Sequence, residues 1–196
     1  MYQVFVALQV MGLVLIVHSL VFMFRGESTY AQKLMIFFMM AELVQNSGFL
    51  LEMFCKSKEA ALVAVKFQYL GSCLVAILFM MFIRYYCTRQ EKRLLERVLL
   101  GIAVFLWILV WTCEKHTLFY RSIEFVNEGI FPHLNLTYGI FFYVFMLCCA
   151  VIPWGNSFSL LLRVMKREKN EKKRKSIKMV IALTTVCLVT MILYVV

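Results

Sequence analysis

Long apolar runs alternate with short polar connections along this chain. Six of the runs reach roughly the 20 residues that a helix needs to cross the hydrocarbon core of a membrane. Backbone groups inside lipid must bond within their own segment, so runs of this length predict helices. The pattern therefore predicts an all-α fold, a polytopic membrane helix bundle with six transmembrane helices. The predicted spans are 2–24, 34–55, 60–87, 98–113, 137–163 and 179–196, and a polar loop occupies 114–136.

Composition also indicates a membrane protein. Of the 196 residues, 63% are hydrophobic and 18 are Phe, whereas a soluble domain is about half apolar. The chain starts MYQVFVALQV, without a basic residue, and no A-x-A cleavage pattern follows, so the first run is predicted to be a membrane helix and not a signal peptide. No polar segment is long enough to form a soluble core of its own. Residues 1–196 are therefore predicted to form a single membrane domain.

The basic residues lie mainly on one side of the predicted membrane. Of the 21 Lys and Arg residues, 16 lie in or beside the first, third and fifth connections, and four lie in the second and fourth. The positive-inside rule places the odd connections in the cytoplasm. The chain is accordingly predicted to be a multi-pass protein of the inner (plasma) membrane, with its N-terminus and the 114–136 loop outside.

The fifth connection holds a basic segment (166–178) with eight basic and two acidic residues. Two interpretations stay open: the segment fixes the topology, or it contacts anionic lipid or a cytoplasmic partner. It has no interleaved aromatic residues, so no nucleic-acid partner is expected. The expected partners are the lipid bilayer, a cytoplasmic signalling partner or a second copy in a homodimer, and an unknown small-molecule signal.

Four polar residues lie within the second predicted span. At about 100° per residue, they fall within a sector of roughly 120°, so they should face the interior of the bundle. Polar groups in hydrocarbon are costly, and each therefore requires a structural or functional reason. Two readings stay open, namely hydrogen bonding between helices and the lining of a ligand or proton path. The four residues are Glu42, Gln45, Asn46 and Glu52.

The third predicted span carries Lys66 and Tyr69 near its N-terminal end, the end that is connected to the second span. Glu52 and Lys66 should lie at similar depths on adjacent antiparallel helices. Because a charge inside a membrane needs a partner, the sequence predicts an ion pair between Glu52 and Lys66.

The fifth predicted span contains Pro153 and Gly155 near its middle. Proline lacks a backbone donor and clashes with the preceding turn, so a kink or an unwound turn is expected there. This break is a candidate hinge, a place where backbone faces a cavity, or a bend that packing tolerates.

No catalytic, metal-binding or cofactor-binding motif is present. The sequence contains neither HExxH nor GxSxG, and it has only eight Gly in all. The seven Cys have no CxxC spacing and are read as small buried apolar residues. His116, Glu124, Glu128 and His133 match no metal-site spacing. No catalytic residue, no metal and no cofactor are expected.

Four stretches of the chain carry a family resemblance. Their order resembles the seven-helix sensor region at the N-terminus of bacterial histidine kinases and of some membrane-bound diguanylate cyclases. Gln68 departs from the family pattern, because family members often have Glu at that position. The residues that match the pattern are Glu52, then Lys66, Tyr69, Leu70 and Gly71, then His116, Leu118, Phe119 and Tyr120. The stretches are GFLLEM, KFQYLGSCLVAILFMMFIRYYC, KHTLFYRS and FPHLNLTYGIFFYVF.

The resemblance implies a sensory module that receives an extracytoplasmic or membrane-borne signal. Family members continue into a seventh helix and a catalytic output domain, so this chain is expected to end after its sixth helix and to have no kinase or cyclase activity of its own. Three explanations stay open: a truncated product, a domain cut from a longer gene, or a degenerate paralogue that works with a separate partner. The alternative is a small-molecule-binding subunit of a membrane transporter, and a scaffold without a ligand also stays open. The candidate signal residues are Glu42, Gln45, Asn46, Glu52, Lys66, Tyr69, His116, Tyr120 and His133.

Overall fold

A computed structural model describes residues 2–26, 29–89, 94–127 and 131–195, with side chains described as far as residue 186. The chain forms a helix bundle with a β-hairpin at one end, here termed the hairpin end; the opposite end carries the basic segment. The helices are α1 (Tyr2–Phe24), α2 (Tyr30–Glu52), α3 (Lys58–Thr88), α4 (Leu94–Trp111), α5 (Ile140–Phe145), α6 (Ile152–Arg167) and α7 (Glu171–Val195), the strands are β1 (Tyr120–Val126) and β2 (His133–Tyr138), and a 3-10 turn spans Cys113–Lys115.

Within the described residues, five helical stretches are long and apolar enough to cross a membrane. They are α1, α2, α3, α4 and the stretch from Ile140 to Arg167, which includes α5 and α6. The predicted count of six spans is not confirmed; the final apolar run lies in α7, whose side chains the structure describes only as far as residue 186.

Helix α7 begins eight residues before the predicted span at 179, and a cap explains its start. The side-chain oxygen of Asn170 accepts hydrogen bonds from the backbone N–H groups of Lys172 and Lys173, at 3.0 and 3.3 Å. The Lys and Arg residues that follow are good helix formers. Thr29 and Ser57 cap α2 and α3 in the same way.

Helix α3 is the centre of the bundle. It packs against α2, α4, α6 and both strands, whereas α1 packs mainly against α2. Two glycines allow the close approach of α2 and α3: a Cβ at Gly48 would lie 2.6 Å from the Gln68 backbone nitrogen, and one at Gly71 would clash with the Ala41 carbonyl oxygen. Small residues at helix contacts serve this purpose in membrane proteins.

The predicted polar loop contains a two-stranded antiparallel hairpin, so the all-α prediction is incomplete. Tyr120 pairs with Tyr138 at one end of the ladder, and Val126 pairs with His133 at the other. Exposed and covered residues alternate from Ser122 to Phe125 and from Leu134 to Tyr138, and β1 is rich in β-branched and aromatic side chains, which suits a pleated, half-buried surface.

Gly139 joins the base of this hairpin to the segment that follows α4. Its backbone N–H donates a 2.8 Å hydrogen bond to the Phe119 carbonyl oxygen. A Cβ at this position would clash with the Leu118 carbonyl oxygen, so only glycine allows the approach.

The fifth span is irregular near its middle, as the sequence predicts. A π-helical turn spans Met146–Val151 between α5 and α6. Pro153, in the first turn of α6, removes one backbone donor and crowds the preceding turn, and a widened turn accommodates both effects. Gly155 faces open space. A hinge role for Pro153 and Gly155 stays a prediction.

Candidate ligand-binding cavity

A cavity of about 860 Å³ lies inside the bundle, next to the hairpin. A volume of this size suits a small organic ligand. Helices α1, α2 and α3, strand β2 and the irregular fifth span all contribute to its wall. The lining comprises Gln9, Glu42, Gln45, Asn46, Phe49, Glu52, Val65, Gln68, Tyr69, Ser72, Val75, Ala76, Leu134, Leu136, Tyr138, Phe142, Phe145, Met146, Cys149, Ala150 and Trp154.

Five of the nine candidate signal residues line this cavity: Glu42, Gln45, Asn46, Glu52 and Tyr69. The four polar residues of α2 therefore share one face of the helix, as their spacing predicts. That these residues bind a signal stays a prediction.

Hydrogen bonds join Glu42, Asn46 and Gln9 into a chain between α2 and α1. The Asn46 Nδ2 group donates to a Glu42 carboxylate oxygen at 3.1 Å and to the Glu42 carbonyl oxygen at 2.8 Å. The Gln9 Nε2 group donates to the Asn46 side-chain oxygen at 3.1 Å. The polar face of α2 thus also connects helices, so the two readings of these residues are compatible.

Glu52 binds the hairpin and not Lys66. Its Oε1 atom accepts a 3.1 Å hydrogen bond from the backbone N–H of Leu134 in β2, and the residue is only 8% exposed. The predicted Glu52–Lys66 ion pair is therefore wrong. Similar depth in a membrane does not fix the direction in which a side chain leaves its helix.

Lys66 instead pairs with Glu114, which follows α4. Its Nζ atom lies 2.8 Å from a Glu114 carboxylate oxygen and 5.7 Å from the centre of the Trp111 ring. The lysine thus faces α4, on a side of α3 that does not line the cavity. Its charge is matched by a carboxylate and an aromatic face, as a buried cation requires.

Tyr69 lies between the cavity and a cluster of aromatic rings. Its ring centre is 5.2 Å from that of Phe119, 5.1 Å from Phe145 and 6.2 Å from Tyr120. Tyr120 is buried behind Tyr69, and burial raises its pKa well above the ordinary value, with the adjacent Tyr69 hydroxyl adding to the shift. Tyr120 is therefore a neutral packing residue at physiological pH.

His116 and His133 also lie outside the cavity lining. The His116 Nε2 atom is 3.1 Å from the Thr112 hydroxyl oxygen, and the residue lines a separate depression of about 460 Å³ together with Tyr120. The His133 Nδ1 atom is 3.1 Å from the Phe131 carbonyl oxygen. Its ring is close enough to Glu52 to interact with that carboxylate electrostatically.

A metal site finds no support in the part of the chain that the structure describes, where no three His, Cys, Asp or Glu residues are grouped. Glu128, considered above as a ligand, lies outside the described residues. The position of His116 at Thr112 and of His133 at Phe131 shows that the two histidines serve separate local contacts.

Sequence reasoning missed three features of the cavity wall. Gln9 is an isolated amide in the apolar first span, and that isolation is the signal that could have identified it. Tyr138 stacks on Phe142 with ring centres 3.7 Å apart, a contact that only the hairpin creates. The ring centres of Trp154 and Phe79 lie 4.8 Å apart, beside the π-helical turn.

A second polar pair was also missed, nearer the basic end. The Arg84 guanidinium donates a 2.7 Å hydrogen bond to the Glu96 carboxylate, and both side chains are at least nine-tenths buried. Arg84 inside the third predicted span was the available signal, because a charge within an apolar run needs a partner. The pair joins α3 to α4 far from the hairpin.

Comparison with known families agrees with this architecture. A family model described as the N-terminal 7TM region of histidine kinase matches residues 6–196, nearly the whole chain. That region is a membrane sensor region and not a catalytic domain. Searches of curated proteins and of solved structures found no match. The chain belongs to the family of N-terminal 7TM regions of histidine kinases.

Proposed function

We propose that the chain is a membrane sensory module whose signal is a small molecule bound in the 860 Å³ cavity. The cavity wall supports this proposal, because it contains both Glu52, which binds strand β2, and residues of the π-helical turn at Met146–Val151. A ligand there would contact the hairpin and the irregular helix at the same time.

The π-helical turn is the proposed route from the cavity to the opposite end of the bundle. Met146, Cys149 and Ala150 line the cavity, and the same helix continues to Arg167 at the start of the basic segment. Single π turns occur often at functional sites, because a small rearrangement changes the rotation of everything that follows. A ligand that favours one arrangement of the turn would therefore rotate α6 against α3.

The proposed orientation has the N-terminus and hairpin outside the inner (plasma) membrane and the basic segment in the cytoplasm. It is supported by the distribution of Lys and Arg along the sequence. In this orientation an extracytoplasmic or membrane-borne signal reaches the cavity, and the output is received by a cytoplasmic partner or a second copy. The bundle itself catalyses no reaction in this proposal.

Filling the cavity tests the function. Ser72 lines the cavity and its hydroxyl bonds to the Gln68 carbonyl oxygen one turn earlier in α3. Ser72→Phe would occupy the ligand's space. Ser19→Phe is the matched control, because the Ser19 hydroxyl makes the same bond to Leu15 on the exposed side of α1.

The readout is phosphotransfer in the cell that contains the complete signalling system. Ser72→Phe is expected to abolish the response to signal or to fix the output at one level, while Ser19→Phe responds as the parent does. A normal response from a folded Ser72→Phe variant would contradict the proposal. Loss of solute uptake with unchanged signalling would instead favour the transporter subunit.

A further inference from the structure

The charge balance of the cavity wall is one-sided. Glu42 and Glu52 both contribute carboxylates, and no Lys, Arg or His occurs among the described lining residues. The nearest candidate to balance them, Lys66, is held by Glu114 on the other side of α3. His133 approaches Glu52 from outside the lining, and no described cation approaches Glu42 closely enough to pair.

Each carboxylate uses one oxygen for the protein and has a second oxygen with no hydrogen-bond partner among the described residues. Glu52 Oε1 accepts the Leu134 N–H, and Glu42 Oε2 accepts the Asn46 side-chain amide. An ionised carboxylate away from water requires a partner charge or further donors. The cavity itself does not supply a cation, so a ligand that carries one would complete the site.

Aromatic rings form much of the remaining wall. The faces of aromatic rings attract cations, and they also bury apolar surface. Small organic ammonium ions are bound in proteins by this combination of rings and carboxylates. The rings are those of Phe49, Tyr69, Tyr138, Phe142, Phe145 and Trp154.

From these observations we infer that the cavity binds an organic cation, an amine or quaternary ammonium ion with an apolar body. The inference rests on the proposed function and narrows it to one ligand class. The ammonium group lies beside one of the two carboxylates, Glu42 or Glu52, on the polar face of α2, and the apolar body lies against the aromatic rings. An anionic ligand would meet two carboxylates without compensation and is excluded by the same charge balance.

Binding of three probes with nearly the same shape tests the class. The cation is benzyltrimethylammonium, the neutral probe is 2,2-dimethylpropylbenzene, in which carbon replaces the quaternary nitrogen, and the anion is phenylmethanesulfonate. Saturable binding is measured calorimetrically on the full chain in lipid nanodiscs, with empty nanodiscs as the partition control. The cation is expected to bind at least about tenfold more tightly than either other probe, a difference of about 1.4 kcal/mol.

Carboxamide variants locate the binding. Glu42→Gln and Glu52→Gln keep an acceptor oxygen for Asn46 and Leu134, and they remove the charge by replacing the other carboxylate oxygen with an NH2 group. The variant at the carboxylate beside the bound ammonium group is expected to weaken cation binding by about tenfold, and the other variant by less, because the two carboxylates are about 15 Å apart along α2. Glu124→Gln, on an exposed position of β1, is the matched control and should bind the cation as the parent does.

The outcomes separate the ligand class from the proposed function. Equal binding of the neutral probe, or unchanged cation binding in both cavity variants, overturns the class while leaving a ligand-binding cavity. Absence of saturable cation binding to the folded parent also overturns it. The proposed function fails independently if Ser72→Phe leaves signalling unchanged.

Discussion

The backbone N–H of Leu134 donates a 3.1 Å hydrogen bond to the Glu52 side chain and so joins the hairpin to the end of α2. Both residues are buried. Burial makes this bond consequential, because a donor removed from water and left without an acceptor destabilises the fold. The hairpin is held over the cavity by this bond at one strand and by Gly139 at its base.

Removing the Glu52 acceptor should loosen the hairpin. Glu52→Ala is expected to lower the free energy of unfolding by about 1–3 kcal/mol, because the Leu134 N–H loses its partner. Glu52→Gln retains an acceptor oxygen and should stay within about 1 kcal/mol of the parent. Chemical unfolding in nanodiscs measures both, and amide exchange at Leu134 should accelerate only in the alanine variant. Equal exchange in the two variants would contradict the role of this bond.

The ion pair of Lys66 can be assigned by double-mutant cycles. A cycle between Lys66 and Glu114 should give a coupling of about 1 kcal/mol, which is modest because the Glu114 side chain is 58% exposed. A cycle between Lys66 and Glu52 should give a coupling near zero, since the two side chains have different partners. The reverse result would restore the pair that sequence position suggests.

Close packing of α2 on α3 should make Gly48 intolerant of a side chain. Gly48→Ala is expected to destabilise the bundle by about 1–3 kcal/mol, because the new Cβ overlaps the backbone of α3. Gly101→Ala is the control, since a Cβ there has nothing within 4 Å. Thermal unfolding of the two variants in the same lipid checks this expectation, which fails if they melt alike.

The Arg84–Glu96 pair should be sensitive to the loss of one partner. Glu96→Ala leaves a buried guanidinium uncompensated and is expected to cost about 3–5 kcal/mol. Removing both charges as Arg84→Met with Glu96→Leu should recover much of that stability. Lys173→Ala removes the more exposed partner of the Glu168–Lys173 pair at the surface and should have little effect. A double variant no more stable than Glu96→Ala would contradict this account.

Periodicity predicted much of the architecture because membrane helices depend on local sequence. The apolar runs located the helices, and a 100° rotation per residue placed Glu42 and Glu52 on one face. Neither rule predicts which segments that are distant in the sequence contact each other. The partner of Lys66 depends on the rotation of α3 against α4, and the Leu134 bond exists only because the hairpin folds back over α2.

Local chemistry also explains the remaining differences. Apolar runs of helical length do not reveal the hairpin, because the alternation in LNLTY has a period of two residues. The early start of α7 depends on the Asn170 cap. This signal is present in the sequence, but the basic residues that follow it led to a predicted start after the basic segment. Pro153 indicated the irregular turn, although not its π-helical form.

An occupied cavity is proposed to act on both the hairpin and the π-helical turn. The decisive measurement is amide hydrogen exchange across Met146–Val151 and at Leu134, in nanodiscs with and without benzyltrimethylammonium. Exchange is expected to slow at both places with the same dependence on cation concentration, and Glu52→Gln is expected to reduce both effects together. Saturable cation binding that leaves exchange in the π-helical turn unchanged would contradict this proposal.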